Sequence, residues 1–123
     1  MQGSGAEKNK LRIIQEIVPG RQITLAHIVN KPRQILYQKL GLNPELDYAG
    51  AAIGMLTMSP SELAIIGGDI ATKSGNVELG FLDRFSGTLI FTGTVSNVET
   101  TLKSILDYSK NIMGFTVCPI TRT

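Results

Sequence analysis

The residues best able to do chemistry stand together at positions 82–87, which read LDRFSG between two apolar runs. A carboxylate, a guanidinium and a hydroxyl follow one another closely at Asp83, Arg84 and Ser86, so the stretch is an active site, a ligand clamp or a surface loop. The flanking runs read as antiparallel strands, and Gly87 supplies the positive φ of a tight connection, which favours a loop. Phe85 would lie at its tip, and an exposed ring in a tight loop often contacts a partner or lines a constriction.

The other reactive side chains give little support for catalysis. The chain has one histidine, His27, and one cysteine, Cys118, too few for a zinc tetrad. They could form a nucleophilic pair only if the fold joins them, and no third orienting group is apparent. We expect His27 to be half-buried and hydrogen-bonded, and Cys118, before Pro119, to behave as an inert apolar residue. The sequence therefore predicts no catalytic residue, no metal and no cofactor.

The composition is that of one globular domain. The chain has 123 residues, 42% of them apolar, and a net charge of +2 without a basic block. There is no Trp, and aromatic residues make up only 6%, so we expect no nucleic-acid partner. No apolar run is long enough to span a membrane, and a lone cysteine fits a reducing cytoplasm. Residues 1–10, rich in Gly, Ser and charge, are predicted to be a disordered tail, and residues 11–123 a single domain.

The elements that position these residues follow from periodicity and turn signals. Strands are predicted over residues 11–18, 22–30, 51–58, 76–83 and 87–95, and a last extended piece over 115–120. A short helix is expected at 31–41, with Gly41 as its left-handed stop, and two longer helices open at Ser59 and Ser96, each in a capping box. From residue 51 the order is β-α-β-β-α-β behind a β-β-α preface. This predicts an α+β fold in which helices pack on an antiparallel sheet, with the C-terminal piece as one of its strands.

Two periodic patterns assign faces to these elements. In the strand at 76–83, we expect one face to carry Val77, Leu79 and Phe81. In the last helix, we expect one buried face to carry Val98, Leu102, Ile105, Ser109 and Ile112.

The helix ending near residue 74 contains two adjacent glycines, Gly67 and Gly68. Together they cost roughly 1–2 kcal/mol relative to alanine in a helix interior, so a packing reason is expected. Leu63, Ile66 and Ile70 are predicted to face the sheet. The smooth opposite face would then meet a second subunit, and its residues are Ala64, Gly67, Gly68 and Ala71, with Ser74 at the end.

Several long stretches resemble a known family. They are IIQEIVPGRQITLAHIVNKP, IGMLTMSPSELAIIGGDIATKSGNVELGFLDRFSG and the ending ITRT. They are similar to the circularly permuted bacterial microcompartment shell proteins of the EutS/PduU/CutR group, which serve ethanolamine, propanediol and choline utilization. The resemblance spans about residues 12–123, and CPITRT and DIATKSG favour the PduU/CutR type. It implies that residues 23–29 form the fourth strand of the sheet. In shell proteins without the permutation, which have the usual order of elements, this strand comes last in the chain. Residues 115–123 would then be an appended tail.

The same resemblance implies a function. It implies a non-enzymatic homohexamer that tiles with other shell proteins around sequestered enzymes. A further encapsulated or shell-associated protein would bind to a β-barrel formed by the six subunits. Six copies of the first strand, within residues 11–20, would close into a β-barrel that obstructs the axis. The barrel residues would be Arg12, Ile13, Ile14, Gln15, Glu16, Ile17 and Val18, and the pore loop would be Asp83, Arg84, Phe85, Ser86 and Gly87. Without the resemblance, the β-α-β-β-α-β order alone leaves a ferredoxin-like ligand-binding or regulatory domain as the alternative.

Overall fold

The computed structural model describes residues 21–42, 51–74 and 76–123. The predicted tail, the barrel strand and its turn lie outside these residues. The described strands are β1 (Gln22–Asn30), β2 (Ala52–Ser59), β3 (Glu78–Asp83), β4 (Thr88–Gly93) and β5 (Thr121–Arg122). They form one sheet in the order β3-β4-β2-β1-β5. The pairs among β1 to β4 are antiparallel, as predicted, whereas β5 runs parallel to β1.

Helices cover both faces of this sheet. The described helices are α1 (Gln34–Lys39), a 3-10 turn (Ser61–Leu63) that leads into α2 (Ala64–Ser74), and α3 (Val95–Asn111). The larger core cluster joins α2 and α3 to one face, where Phe91 and Leu102 are fully buried. A smaller cluster joins Tyr37 of α1 to Ile53 and Ile90 on the other face. None of these described helices is long and apolar enough to cross a bilayer. The predicted α+β class is confirmed.

β1 occupies the position that the resemblance implies. It lies inside the sheet, between β2 and the C-terminal residues. The C-terminal segment follows its outer edge: Ile23 N donates to Thr116 O (2.9 Å), and Asn30 N donates to Thr123 O (3.0 Å). Only Thr121–Arg122 pair as a strand. The prediction from pattern alone, which made residues 115–120 a sheet strand, is therefore wrong, and the segment is an appended edge.

β3 contains a bulge that the alternation of apolar residues hides. Leu79 lies opposite Phe91, but Phe81 lies opposite Ile90, so Gly80 is an extra residue between them. Since Phe91 and Ile90 belong to clusters on opposite faces, Leu79 and Phe81 also point to opposite faces. The prediction that they share a face is wrong. A Cβ on Gly80 would lie 2.6 Å from Leu42 Cδ2, which explains the glycine.

Neither predicted capping box forms. Ser59 is the last residue of β2, paired with Gln22, and Pro60 precedes the 3-10 turn without a side-chain cap. The cap of α3 is Thr94, whose Oγ1 accepts a hydrogen bond from Asn97 N (3.1 Å). The helix therefore begins before Ser96.

The far ends of the helices agree better with prediction. Gly41 adopts positive φ, as expected of a left-handed stop. Along α3 the expected buried face holds from Val98 to Ser109, but it excludes Ile112, which is 68% exposed beyond the last turn.

The small residues of α2 face the chain's own sheet. Ala64, Gly67, Gly68 and Ala71 are all buried. A Cβ on Gly68 would lie 2.6 Å from Leu82 Cδ1, and one on Gly67 would lie 3.0 Å from Met58 Sδ. The two glycines thus let the helix approach β2 and β3 closely. The prediction that this face points outward is wrong, although Ser74 at its end is exposed. Leu63 and Ile70 pack against the core as predicted, whereas Ile66 is exposed together with Ile65.

Candidate functional site

The loop between β3 and β4 is closed by backbone hydrogen bonds. Gly87 N donates to Asp83 O (2.9 Å), and Gly87 has φ of +78°, as the sequence predicts. Gly87 O accepts from Met58 N (2.8 Å), which ties the loop to the end of β2. A Cβ on Gly87 would collide with Met58 O. The position of the loop is therefore fixed within one chain.

Asp83 organises the loop rather than offering a base. Its Oδ1 accepts from Phe85 N (2.8 Å), and its Oδ2 accepts from Ser86 Oγ (2.9 Å). The Phe85 N–H, followed by the Ser86 hydroxyl, lowers the pKa of Asp83 below its ordinary value, and the charge of Arg84 adds a smaller effect. A carboxylate held ionised by its own loop is a weak proton acceptor at neutral pH.

Ser86 is not arranged as a nucleophile. Its hydroxyl donates to Asp83 and also lies 3.0 Å from Thr88 Oγ1. An activated serine needs a base such as histidine at this distance, whereas here the partners are an ionised carboxylate that accepts and a second hydroxyl. The Asp-Arg-Ser cluster thus builds a turn.

Phe85 and Arg84 form the outer surface of the loop. The Arg84 guanidinium lies over the Phe85 ring, 4.8 Å from its centroid, within cation–π range. Phe85 is nevertheless 78% exposed, more than any other large apolar residue described. A groove of about 290 Å³ lies beside the ring, lined by Asp83, Arg84 and Phe85 of the loop together with Ile65 and Leu82.

His27 and Cys118 have structural surroundings. His27 Nδ1 lies 2.6 Å from Thr121 Oγ1 and its Nε2 lies 3.0 Å from Thr123 Oγ1, so the ring holds the C-terminal segment against β1. This confirms the prediction of a half-buried, hydrogen-bonded histidine. Burial raises the pKa of the Cys118 thiol, which packs against the main core, so it is a poor nucleophile. Within the described parts of the chain, no group of three His, Cys, Asp or Glu side chains could hold a metal.

Sequence reasoning missed two residues of this region. Thr88 contacts Ser86, and the pairing of Asp83 with Thr88 across the hairpin would have placed it there. Ile65 lines the groove, and only the position of α2 over the sheet reveals it.

Comparison with known proteins identifies the family. The family described as BMC domain matches residues 52–121, from the start of β2 to the C-terminal strand. The chain belongs to the BMC-domain family. It is 54% identical over 112 residues to the bacterial microcompartment shell protein PduU of Salmonella typhimurium, which covers 91% of this chain and 93% of the relative. It is 46% identical over 112 residues to the shell protein CutR of Streptococcus intermedius, with 91% and 92% coverage.

The fold comparison agrees. The solved CutR flat hexamer (form 1) matches with a TM-score of 0.77 and 46% identity, covering 91% of this chain and 99% of that one. These relatives are structural shell proteins rather than enzymes, which agrees with the expectation of no catalytic activity. The predicted relationship to the PduU, CutR and EutS shell proteins is confirmed.

Proposed function

We propose that this chain is a structural subunit of a bacterial microcompartment shell in the cytoplasm. It assembles into a homohexamer that tiles with other shell proteins around sequestered enzymes. The observation that carries this proposal is the similarity of nearly the whole chain to a subunit of the CutR flat hexamer. The exposed apolar side chains of a single subunit, such as Phe81, Phe85 and Ile65, support assembly because a stable monomer gains nothing from them.

The order of elements supports a circular permutation. β1 precedes the residues that match the BMC domain, yet it lies in the sheet beside β2, the first matched strand. In this proposal β1 and α1 are the strand and helix that end the usual order, moved to the front of the chain. The two long helices and the β3–β4 hairpin keep their places.

The β3–β4 loop is proposed to surround the central axis. Six-fold symmetry would bring six copies of Phe85 and Ser86 around one opening. The hydrogen bonds of Asp83 and Gly87 support this role, because they hold the loop in shape without a neighbouring subunit.

Residues 12–18 are proposed to form one strand of a six-stranded barrel over that axis. The chain enters the described fold at Arg21, and the next residue, Gln22, pairs with Ser59. Met58, next to Ser59, donates to Gly87 O of the loop, so Arg21 and Gln22 lie at the same end of the sheet as the loop, which supports a barrel strand near the axis. A closed ring of strands leaves no unpaired edge, and six strands enclose an interior that side chains fill, which obstructs the axis. An encapsulated or shell-associated protein would dock on this barrel.

The native mass of the purified protein tests the hexamer. A ring of six subunits, and sheets or tubes by electron microscopy on overexpression, are expected; a stable monomer or dimer would overturn the proposal. Deletion of residues 1–18 tests the barrel, with deletion of residues 1–10 as the control. Loss of the ring in the longer deletion alone would show that the barrel holds it together, and survival of the ring would reduce the barrel to an accessory cap.

A further inference from the structure

The groove beside the β3–β4 loop and the ring at the tip of that loop are adjacent on one subunit. Ile65, in the first turn of α2, is 51% exposed, and Leu82, near the end of β3, is 36% exposed. They form apolar walls of the groove of about 290 Å³, and the exposed Phe85 lines it as well. A single chain therefore presents both an apolar ring and an apolar groove to solvent at one place.

We propose that Phe85 of each subunit inserts into the groove between Ile65 and Leu82 of the next subunit around the ring. This inference rests on the proposed hexamer and names the contact that closes it near the axis. The partner is a second copy of this chain, and the contact repeats six times.

Cyclic symmetry favours this occupant. In a closed ring of six, the two sides of each interface are different patches of the same molecule, so a projecting group on one subunit needs a recess on the next. If the β3–β4 loop surrounds the axis, its neighbour across each interface is the equivalent region of the adjacent subunit. Phe85 is then the projecting group, and the groove lined by Ile65 and Leu82 is the recess that recurs beside it.

The size and chemistry of the two surfaces also agree. A cavity of about 150 Å³ lined by aliphatic side chains suffices for benzene, so a groove of about 290 Å³ has room for a phenyl ring from outside. Arg84 lies over one face of Phe85, which leaves the other face for the neighbouring subunit. Asp83 keeps the loop fixed, so little conformational freedom is lost when the ring is buried.

Interchain thiol cross-linking tests the contact directly. In a Cys118→Ser background, a tagged chain carrying Ile65→Cys is coexpressed with an untagged chain carrying Phe85→Cys. Each chain then has one thiol, so a cross-link between the tagged and the untagged chain reports two different subunits. The control replaces Ile65→Cys by Ile35→Cys, an isoleucine of similar exposure (52%) on α1, across the sheet.

Treatment of the purified ring with a thiol-specific bifunctional cross-linker about as long as a phenyl ring is expected to give the covalent Ile65→Cys/Phe85→Cys dimer at about ten times the yield of the control, since the inserted ring separates the two Cβ atoms by more than a direct disulfide spans. A native ring without this dimer, or with Phe85→Cys joined to itself instead, would overturn the inference and leave the hexamer intact. Failure of the unsubstituted chain to form a ring would overturn the hexamer and the inference together.

A double-mutant comparison of Phe85→Ala and Ile65→Ala provides a second measurement. Each change is expected to raise the subunit concentration at half-dissociation of the ring by about tenfold, and the double variant should rise little further, because the same contact is lost. If the fold-change of the double variant equals the product of the two single fold-changes, Phe85 and Ile65 do not contact each other.

Discussion

Gly87→Ala is expected to destabilise this fold more than the same change at another left-handed glycine. Gly87 has φ of +78°, and a Cβ there would collide with Met58 O and lie 3.1 Å from Ser61 Cα. Both of these atoms belong to the backbone, so no side-chain rotation relieves the contact. The hydrogen bond from Met58 N to Gly87 O (2.8 Å) holds the two segments together at this point.

The magnitude follows from two contributions. The left-handed conformation costs a residue with a Cβ roughly 1–2 kcal/mol. Forcing an atom into a packed site costs about 1–3 kcal/mol more. Gly87→Ala should therefore lower the free energy of unfolding by about 2–5 kcal/mol. Gly114 isolates the first contribution, because its φ is +73° and a Cβ there would meet nothing within 4 Å.

Thermal unfolding at one subunit concentration measures both variants, since assembly makes the melting temperature depend on concentration. For a chain of this length, about 1 kcal/mol corresponds to roughly 4 °C. Gly114→Ala is expected to melt about 4–8 °C below the parent, and Gly87→Ala about 4–12 °C below Gly114→Ala. Equal losses in the two variants would refute the close approach of the loop to the end of β2.

Three further predictions concern the fold around the loop. Gly68→Leu should lower the free energy of unfolding by about 1–3 kcal/mol, because a leucine at this buried position must displace Leu82, whose Cδ1 lies 2.6 Å from the Cβ site, and then meets Leu89; an unchanged denaturation midpoint would contradict this. Because the loop lowers the pKa of Asp83 below 3.8, its contribution to stability is complete above that value and is lost as the pH falls through the folded-state pKa. The drop in melting temperature on acidification should thus be smaller in Asp83→Asn, and an equal drop would exclude the effect. In denaturant unfolding, Thr94→Ala should lower the free energy of unfolding by about 1 kcal/mol and Ser96→Ala should leave it almost unchanged. A larger loss for Ser96→Ala than for Thr94→Ala would instead support Ser96 as the helix cap.

The sequence predicts the order of elements well, because that order depends on local signals. Residues 51–123 show the strand and helix periods clearly, and Gly41 and Gly87 mark turns that require positive φ. The loop at 83–87 was found for the same reason, since a polar cluster between two apolar strands is a hairpin connection. Its internal hydrogen bonds also follow from the short side chains of Asp83 and Ser86 near the backbone.

The errors arise where a tertiary contact outweighs a local signal. Ser59 has the sequence of a helix cap, but its pairing with Gln22 keeps it in β2. Gly80 has no local sign of a bulge, and the need for space beside Leu42 becomes visible only when α1 packs on the sheet. Neither neighbour is close in sequence, so no window of a few residues contains the information.

The face of α2 was assigned wrongly for a different reason. The helix has a small-residue face with Ala64 and Gly67 and an aliphatic face with Ile65, and periodicity cannot say which of the two is buried within the chain. The rule that large aliphatic residues lie inside fails for Ile65 and Ile66, because the small face permits closer contact with the sheet. In the proposed ring, the exposed Ile65 would be buried by Phe85 of a neighbouring subunit. The exposed ring of Phe85 and the exposed side chain of Ile65 would then be the two halves of one contact, which no single chain contains.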